Sequence, residues 1–222
     1  MFSYIQILLL SIVIPILFSF EKRIHYVSKW KAILRASIIV AIPFLIWDII
    51  FTKNGIWGFN ESYTIGFTAF GLPIEEILFF ILIPFASLIF WEISKKYKLY
   101  RFFKTHKVFF NFTTIISVFF LLYYISKTYI LVVCLATIFT TYLVSKQKQN
   151  IQKNIVLLFF VSLPFFLIVN GKLTSLPIVW YNSAEKSGLM IGSIPLEDLF
   201  YSYSLLSLNA LVYEKVKTRH TS

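Results

Sequence analysis

Histidine and cysteine are almost absent from this chain, with three of the first and one of the second in 222 residues. The single cysteine, Cys134, lies inside an apolar run, which rules out an intrachain disulfide and marks a packed thiol. His25, His106 and His220 stand in separate basic segments and read as solvated loop residues, so no histidine cluster supports a metal-dependent oxygenase or desaturase. No glycine-rich loop follows a strand pattern, which leaves flavin and nicotinamide binding unsupported, and a paired aspartate-rich motif for magnesium diphosphate is missing. The expectation is no cofactor and no metal. Acidic residues are scarce as well, ten against 21 Lys and Arg, for a net charge of +11. The basic residues fall in four clusters between apolar runs, so they read as topology signals and no nucleic-acid partner is expected.

What is abundant is apolar: 58% of the residues are hydrophobic, 19% are aromatic and only 14% are charged. That is a membrane protein composition. The fold class expected is all-α integral membrane, with about seven spans at roughly 2 to 20, 34 to 51, 73 to 92, 108 to 125, 129 to 144, 155 to 170 and 195 to 213. The break at Ser126 to Thr128 is weak, so a five-span arrangement is the alternative. The first run has no basic residue before it and no cleavage pattern after it, and reads as a retained helix. Seventeen of the 21 Lys and Arg sit in segments 21 to 35, 94 to 107 and 145 to 154 and in the tail, with Lys53, Lys127, Lys172 and Lys186 on the other side. This bias predicts an outside N-terminus and a cytoplasmic C-terminus, in what is expected to be a bacterial cytoplasmic membrane.

The chain also repeats itself. An offset of 122 residues aligns Asp48 with Asn170, Asn60 with Asn182, Gly66 with Gly188, Pro73 with Pro195, Glu75 with Glu197, Glu76 with Asp198 and Glu92 with Glu214, without a gap. Two three-helix units are expected, 1 to 107 and 129 to 222, joined by a linking helix at 108 to 128. Units offset by four spans enter the membrane in the same direction and are parallel repeats.

Five of the ten acids lie in or at the mouth of a span: Asp48, Glu75, Glu76, Glu197 and Asp198. Capping explains an acid near a helix N-terminus, where the dipole contributes about 0.3 to 1 kcal/mol, but an acid at the bilayer centre costs roughly 2.5 to 3.5 kcal/mol. Both copies set two acids after the proline, and successive helical positions point about 100° apart, so one can face inward. Two carboxyls facing each other in an apolar cavity share a proton. Trp47, Trp57, Phe79, Phe80, Phe200 and Tyr201 are the candidate walls of that cavity, with π faces able to stabilise a developing cation. Asn60, Asn182, Gly66 and Gly188 are expected to shape the loops over the site or to serve as simple turn residues, and Pro73 and Pro195 to set the helix starts.

The stretches "WDIIFTKNGIWGFN", "LPIEEILFF" and "IPLEDLFY" resemble the signatures of the membrane-embedded lycopene cyclase family, in its form with two subunits fused in one chain, over nearly the whole length. The resemblance implies closure of the acyclic ends of lycopene into β-ionone rings without net redox change: a carboxylic acid protonates the terminal double bond, the next double bond closes the ring, and a carboxylate removes a proton. Some relatives cyclise C50 carotenoids, and fungal ones carry a fused phytoene synthase that is missing here. Glu75 and Glu197, which match across the repeat without substitution, are the expected inward catalytic pair, with Glu76 and Asp198 in support and Asp48 behind them. The family's second unit commonly carries an Asp before its Gly, where this chain has Asn170; if that acid matters, the resemblance implies that the two units here are not equivalent. Lycopene and membrane lipids are the expected partners. A small transporter built from parallel repeats and a carotenoid hydratase are the competing readings.

Overall fold

A computed structural model describes residues 3 to 104 and 106 to 218. Seven helices account for most of them: α1 Tyr4–Phe18, α2 Trp30–Lys53, α3 Ile74–Tyr97, α4 His106–Tyr123, α5 Thr128–Ser145, α6 Gln149–Ser175 and α7 Glu197–Thr218. Helices α2 to α6 are long and apolar enough to cross a membrane, while α1, at 15 residues, is apolar but shorter. A break after Tyr123 separates α4 from α5, which gives seven α-helices among the described residues. Helix α7 is less apolar than α2 to α6 because it is a central helix: Ser202, Ser204, Ser207 and Asn209 are buried within the bundle. Its neighbours α2, α5, α6 and α3 surround it. Backbone carbonyls absorb several of these polar groups, as when Ser204 donates to the Phe200 carbonyl and Asn209 to that of Leu205.

The same order of elements occurs twice. Between α2 and α3 run the short strands β1 Trp57–Phe59, β2 Thr68–Ala69 and β3 Leu72–Pro73, and between α6 and α7 run β4 Val179–Tyr181, β5 Met190–Ile191 and β6 Ile194–Pro195. The strands of the second set lie 122 residues after those of the first. β2 and β3 form one small hairpin and β5 and β6 another. β1 pairs antiparallel with β4, Trp57 opposite Tyr181, Gly58 opposite Trp180 and Phe59 opposite Val179. That register is isologous, each half giving the other what it receives. Flanking bonds keep the same reciprocity: Asn60 N–H donates to the Ile178 carbonyl and Asn182 N–H to that of Ile56.

Reciprocity returns at the opposite ends of α3 and α7. Trp91 and Lys95 of α3 donate to Glu214, at 2.7 Å each, while Tyr213 and Lys217 of α7 donate to Glu92 at 2.8 and 3.0 Å. Lys29 adds an ion pair to Glu92 at 2.7 Å. The helices themselves exchange partners, α2 packing on α7 and α6 on α3, so each half is completed by the other. Helix α4 lies outside this scheme and packs on α5.

Candidate active site

The prolines come first in building the site. Pro73 and Pro195 close the two hairpins, opposite Thr68 and Met190, and stand just before α3 and α7 rather than at their first helical positions. A fixed φ and a missing N–H suit the end of a two-residue ladder. Each proline therefore directs the chain from a hairpin into a helix whose first turn carries two acids, Glu75 and Glu76 or Glu197 and Asp198.

The two acids of each pair have separate surroundings. Glu75 is fully buried, and its Oε1 accepts the Ile65 N–H at 2.7 Å; Glu197, equally buried, accepts the Ser187 N–H. Ile65 and Ser187 precede Gly66 and Gly188, both at φ +86, with open space around them. These glycines serve backbone conformation, since no L side chain adopts that φ without strain. Asn60 and Asn182 complete the loops with matching turns, each side-chain oxygen accepting the N–H two residues on, at 3.1 and 3.0 Å.

Glu76 and Asp198 line the cavity instead, together with Asp48 from the end of α2. Glu75 and Glu197, expected as the inward pair, do not line this cavity; each accepts an N–H of its own loop, while Glu76 and Asp198 border the cavity. The cavity is about 60 Å³ and is bounded by Tyr4, Trp57, Phe59, Phe79, Tyr129, Phe166, Asn170, Leu173, Val179, Tyr181 and Tyr201 as well as the three acids. Of the six aromatic residues proposed as walls, Trp57, Phe79 and Tyr201 line it. Trp47 stands behind them, 5.0 Å from Tyr201 and 6.1 Å from Trp57 between ring centres. Phe80 is buried against Phe44, and Phe200 packs on Phe120 of α4, both away from the cavity.

Hydrogen bonding divides the three acids. Asp198 receives three donors: the Tyr129 hydroxyl on Oδ1, and Asn170 Nδ2 at 2.7 Å and the Tyr181 hydroxyl at 2.8 Å on Oδ2. Glu76 receives one, the Tyr4 hydroxyl on Oε2 at 2.5 Å. Asp48 accepts the Trp57 indole N–H on Oδ1 at 2.5 Å, and its Oδ2 is buried without a hydrogen bond of normal geometry. Burial and the adjacent Asp198 carboxylate hold the Tyr181 phenol well above its usual range, which keeps it a donor.

Tyr4, Tyr129 and Asn170 as hydrogen-bond donors were not predicted from the motifs. Both tyrosines come from the first helix of their half and reach the second acid of its third helix. They lie three positions out of register in the 122-residue alignment, about one helical turn, so the repeat hides their common task. Cys134 is a buried thiol within the core, as expected. His25 is exposed, but His106 is not the solvated residue expected; it starts α4, is 2% exposed and packs edge-on against Phe110. His220 lies outside the described residues. Among the described residues no three His, Cys, Asp or Glu side chains converge to hold a metal ion.

Comparison with known proteins places this arrangement. The profile of the lycopene cyclase family matches residues 2–94 and 126–216, the two halves without α4. A bifunctional lycopene cyclase/phytoene synthase of Gibberella fujikuroi is 33% identical over 70 residues, which is 31% of this chain and 12% of that enzyme's length. No solved structure matches.

Proposed function

We propose that this chain, which belongs to the lycopene cyclase family, cyclises the acyclic ends of lycopene to β-ionone rings as an intramolecular lyase, by acid–base chemistry of its own side chains. The observation that carries the reading is the meeting of Glu76 and Asp198, the second acids of both motifs, in one cavity with aromatic walls. Asp198, surrounded by three donors, has the setting of a proton acceptor. Glu76 takes a single hydrogen bond and has an oxygen left to carry a proton. In the reaction Glu76 gives its proton to the terminal double bond, leaving a tertiary cation. The next double bond attacks it to form the six-membered ring and moves the cation into the ring, and Asp198 removes the adjacent proton to restore an alkene. Trp57 and Tyr201 flank the cationic centre, where a desolvated π face stabilises charge by roughly 2 kcal/mol. Asp48, the third acid lining the cavity, is oriented by the Trp57 N–H.

At about 60 Å³ the cavity is smaller than the roughly 150 Å³ that accommodates a six-carbon ring, so binding parts the apolar side formed by Phe79, Phe166, Leu173 and Val179. The basic bias of the opposite helix ends puts the acids on the extracytoplasmic side, the N-terminus outside and the C-terminus in the cytoplasm. The test is chromatography of pigments from a lycopene-accumulating bacterial host. Wild type yields monocyclic or bicyclic carotene, and the Glu76→Gln, Asp198→Asn double variant, present in the membrane at equal amount, leaves lycopene. Unchanged lycopene with wild type defeats the reading, and cyclisation by the double variant defeats the assignment of the acids.

A further inference from the structure

A second cavity, of about 420 Å³, lies at the basic end of the bundle, far along α3 and α7 from the acids. The last turns of α3 and α7 meet the first turn of α6 there. Lys95, Lys148 and Lys215 line it against one carboxylate, Glu214, which Lys95 already engages at 2.6 Å. The lining therefore carries an excess of positive charge. Helix α6 starts at this cavity with no side-chain cap and no acid in its first turn. Its opening N–H groups and dipole are thereby left for an external anion.

Asn154, one turn further in, supplies an independent sign of a ligand. It lines the cavity, is 1% exposed and its Nδ2 makes a long 3.5 Å bond to the Trp91 carbonyl, while its Oδ1 is buried without a partner among the described residues. A buried acceptor of this kind requires a donor. One ligand has to present an anion to Lys148 and the α6 terminus and a hydroxyl to Asn154. The cavity sits where apolar spans give way to basic loops, at the level of a bilayer's headgroups.

We propose that this cavity binds the headgroup of an anionic, hydroxyl-bearing phospholipid. The phosphodiester rests on the α6 N-terminus and Lys148, and the headgroup hydroxyl donates to Asn154 Oδ1. The site is independent of the reaction assigned to the acids.

Native mass spectrometry of the full chain in detergent, titrated with phosphatidylglycerol, phosphatidylcholine or inorganic phosphate, tests it. Wild type is expected to hold one phosphatidylglycerol about tenfold more tightly than phosphatidylcholine. Lys148→Glu, at an exposed position, is expected to lower that affinity about tenfold. Asn154→Leu removes the unpaired acceptor, so it leaves the fold intact and abolishes the preference for the glycerol headgroup. Lys186→Glu, at the other end of the molecule, changes nothing. Equal occupancy by the two lipids, or an unaltered Lys148→Glu, overturns the proposal. So does displacement of the lipid by inorganic phosphate at matching concentration, which would make this a site for free anions.

Discussion

A carboxylate that accepts a backbone N–H and one that faces a cavity respond differently to loss of charge. Glu75 and Glu197 each hold a loop amide, and an amide oxygen can take the same hydrogen bond. Glu75→Gln is therefore expected to keep more than about a third of wild-type cyclisation, whereas Glu75→Leu strands the Ile65 N–H and costs roughly 1 to 3 kcal/mol of stability. Glu76→Gln, by contrast, is expected to lower product formation by about 100-fold or more, because an amide has no transferable proton. Pigment yield per unit of membrane protein, with a thermal melt of each variant, separates the two cases. This contrast also explains what the sequence hid. Identity across the repeat pointed to Glu75 and Glu197, but identity there reflects a task both halves share, pinning the loop. Positions facing the cavity have diverged, Glu76 against Asp198, Asp48 against Asn170, Phe59 against Tyr181, as a single asymmetric site inside a two-fold frame requires. The motifs brought both acid pairs into view, and helical phase, which the motifs do not state, sets which acid of each pair borders the cavity.

At the scale of elements, the helices were legible because long apolar runs have few alternatives, and the structure moves their ends by only a few residues except in α6. That helix extends from Gln149 to Ser175, past both ends of its apolar run, since Asn154 and Thr174 find places inside the bundle. The strands were not legible: two or three residues carry too little pattern, and β1 finds its partner 122 positions away. Yet this pair joins the halves directly over the cavity, with Trp57, Phe59, Val179 and Tyr181 among its lining residues. Gly58 is its tightest point. A Cβ there would lie 2.4 Å from Trp180 Cζ2, so the indole resting on Gly58 has to swing away. Trp180 is 45% exposed and free to do so at moderate cost. Gly58→Ala is expected to destabilise by about 1 to 2 kcal/mol. In a Trp180→Ala background the same change is expected to cost almost nothing, a coupling that thermal unfolding of the four proteins measures directly.

Across the whole molecule, α3 and α7 carry the paired acids at one end and reciprocal ion clusters at the other. The clusters are related by the repeat, Glu92 with Glu214, Trp91 with Tyr213 and Lys95 with Lys217, but they are not equally buried. The Glu92 side chain is 5% exposed and faces two lysines, Lys29 and Lys217, whereas the Glu214 side chain is 18% exposed. Removing one partner of a buried pair leaves the others desolvated and uncompensated, and the penalty grows with burial. The lysines at both clusters are partly exposed, which reduces the loss by solvent screening. Glu92→Gln is accordingly expected to destabilise by about 2 kcal/mol, and Glu214→Gln by less than about 1 kcal/mol. Because the clusters lie a helix length from Glu76 and Asp198, both variants are expected to cyclise at wild-type rates below their unfolding temperatures. Melting curves read alongside pigment yield at low and high growth temperature check both statements. A loss of turnover at low temperature in Glu92→Gln would mean that the two ends are coupled through α3, and the division of labour along that helix would have to be abandoned.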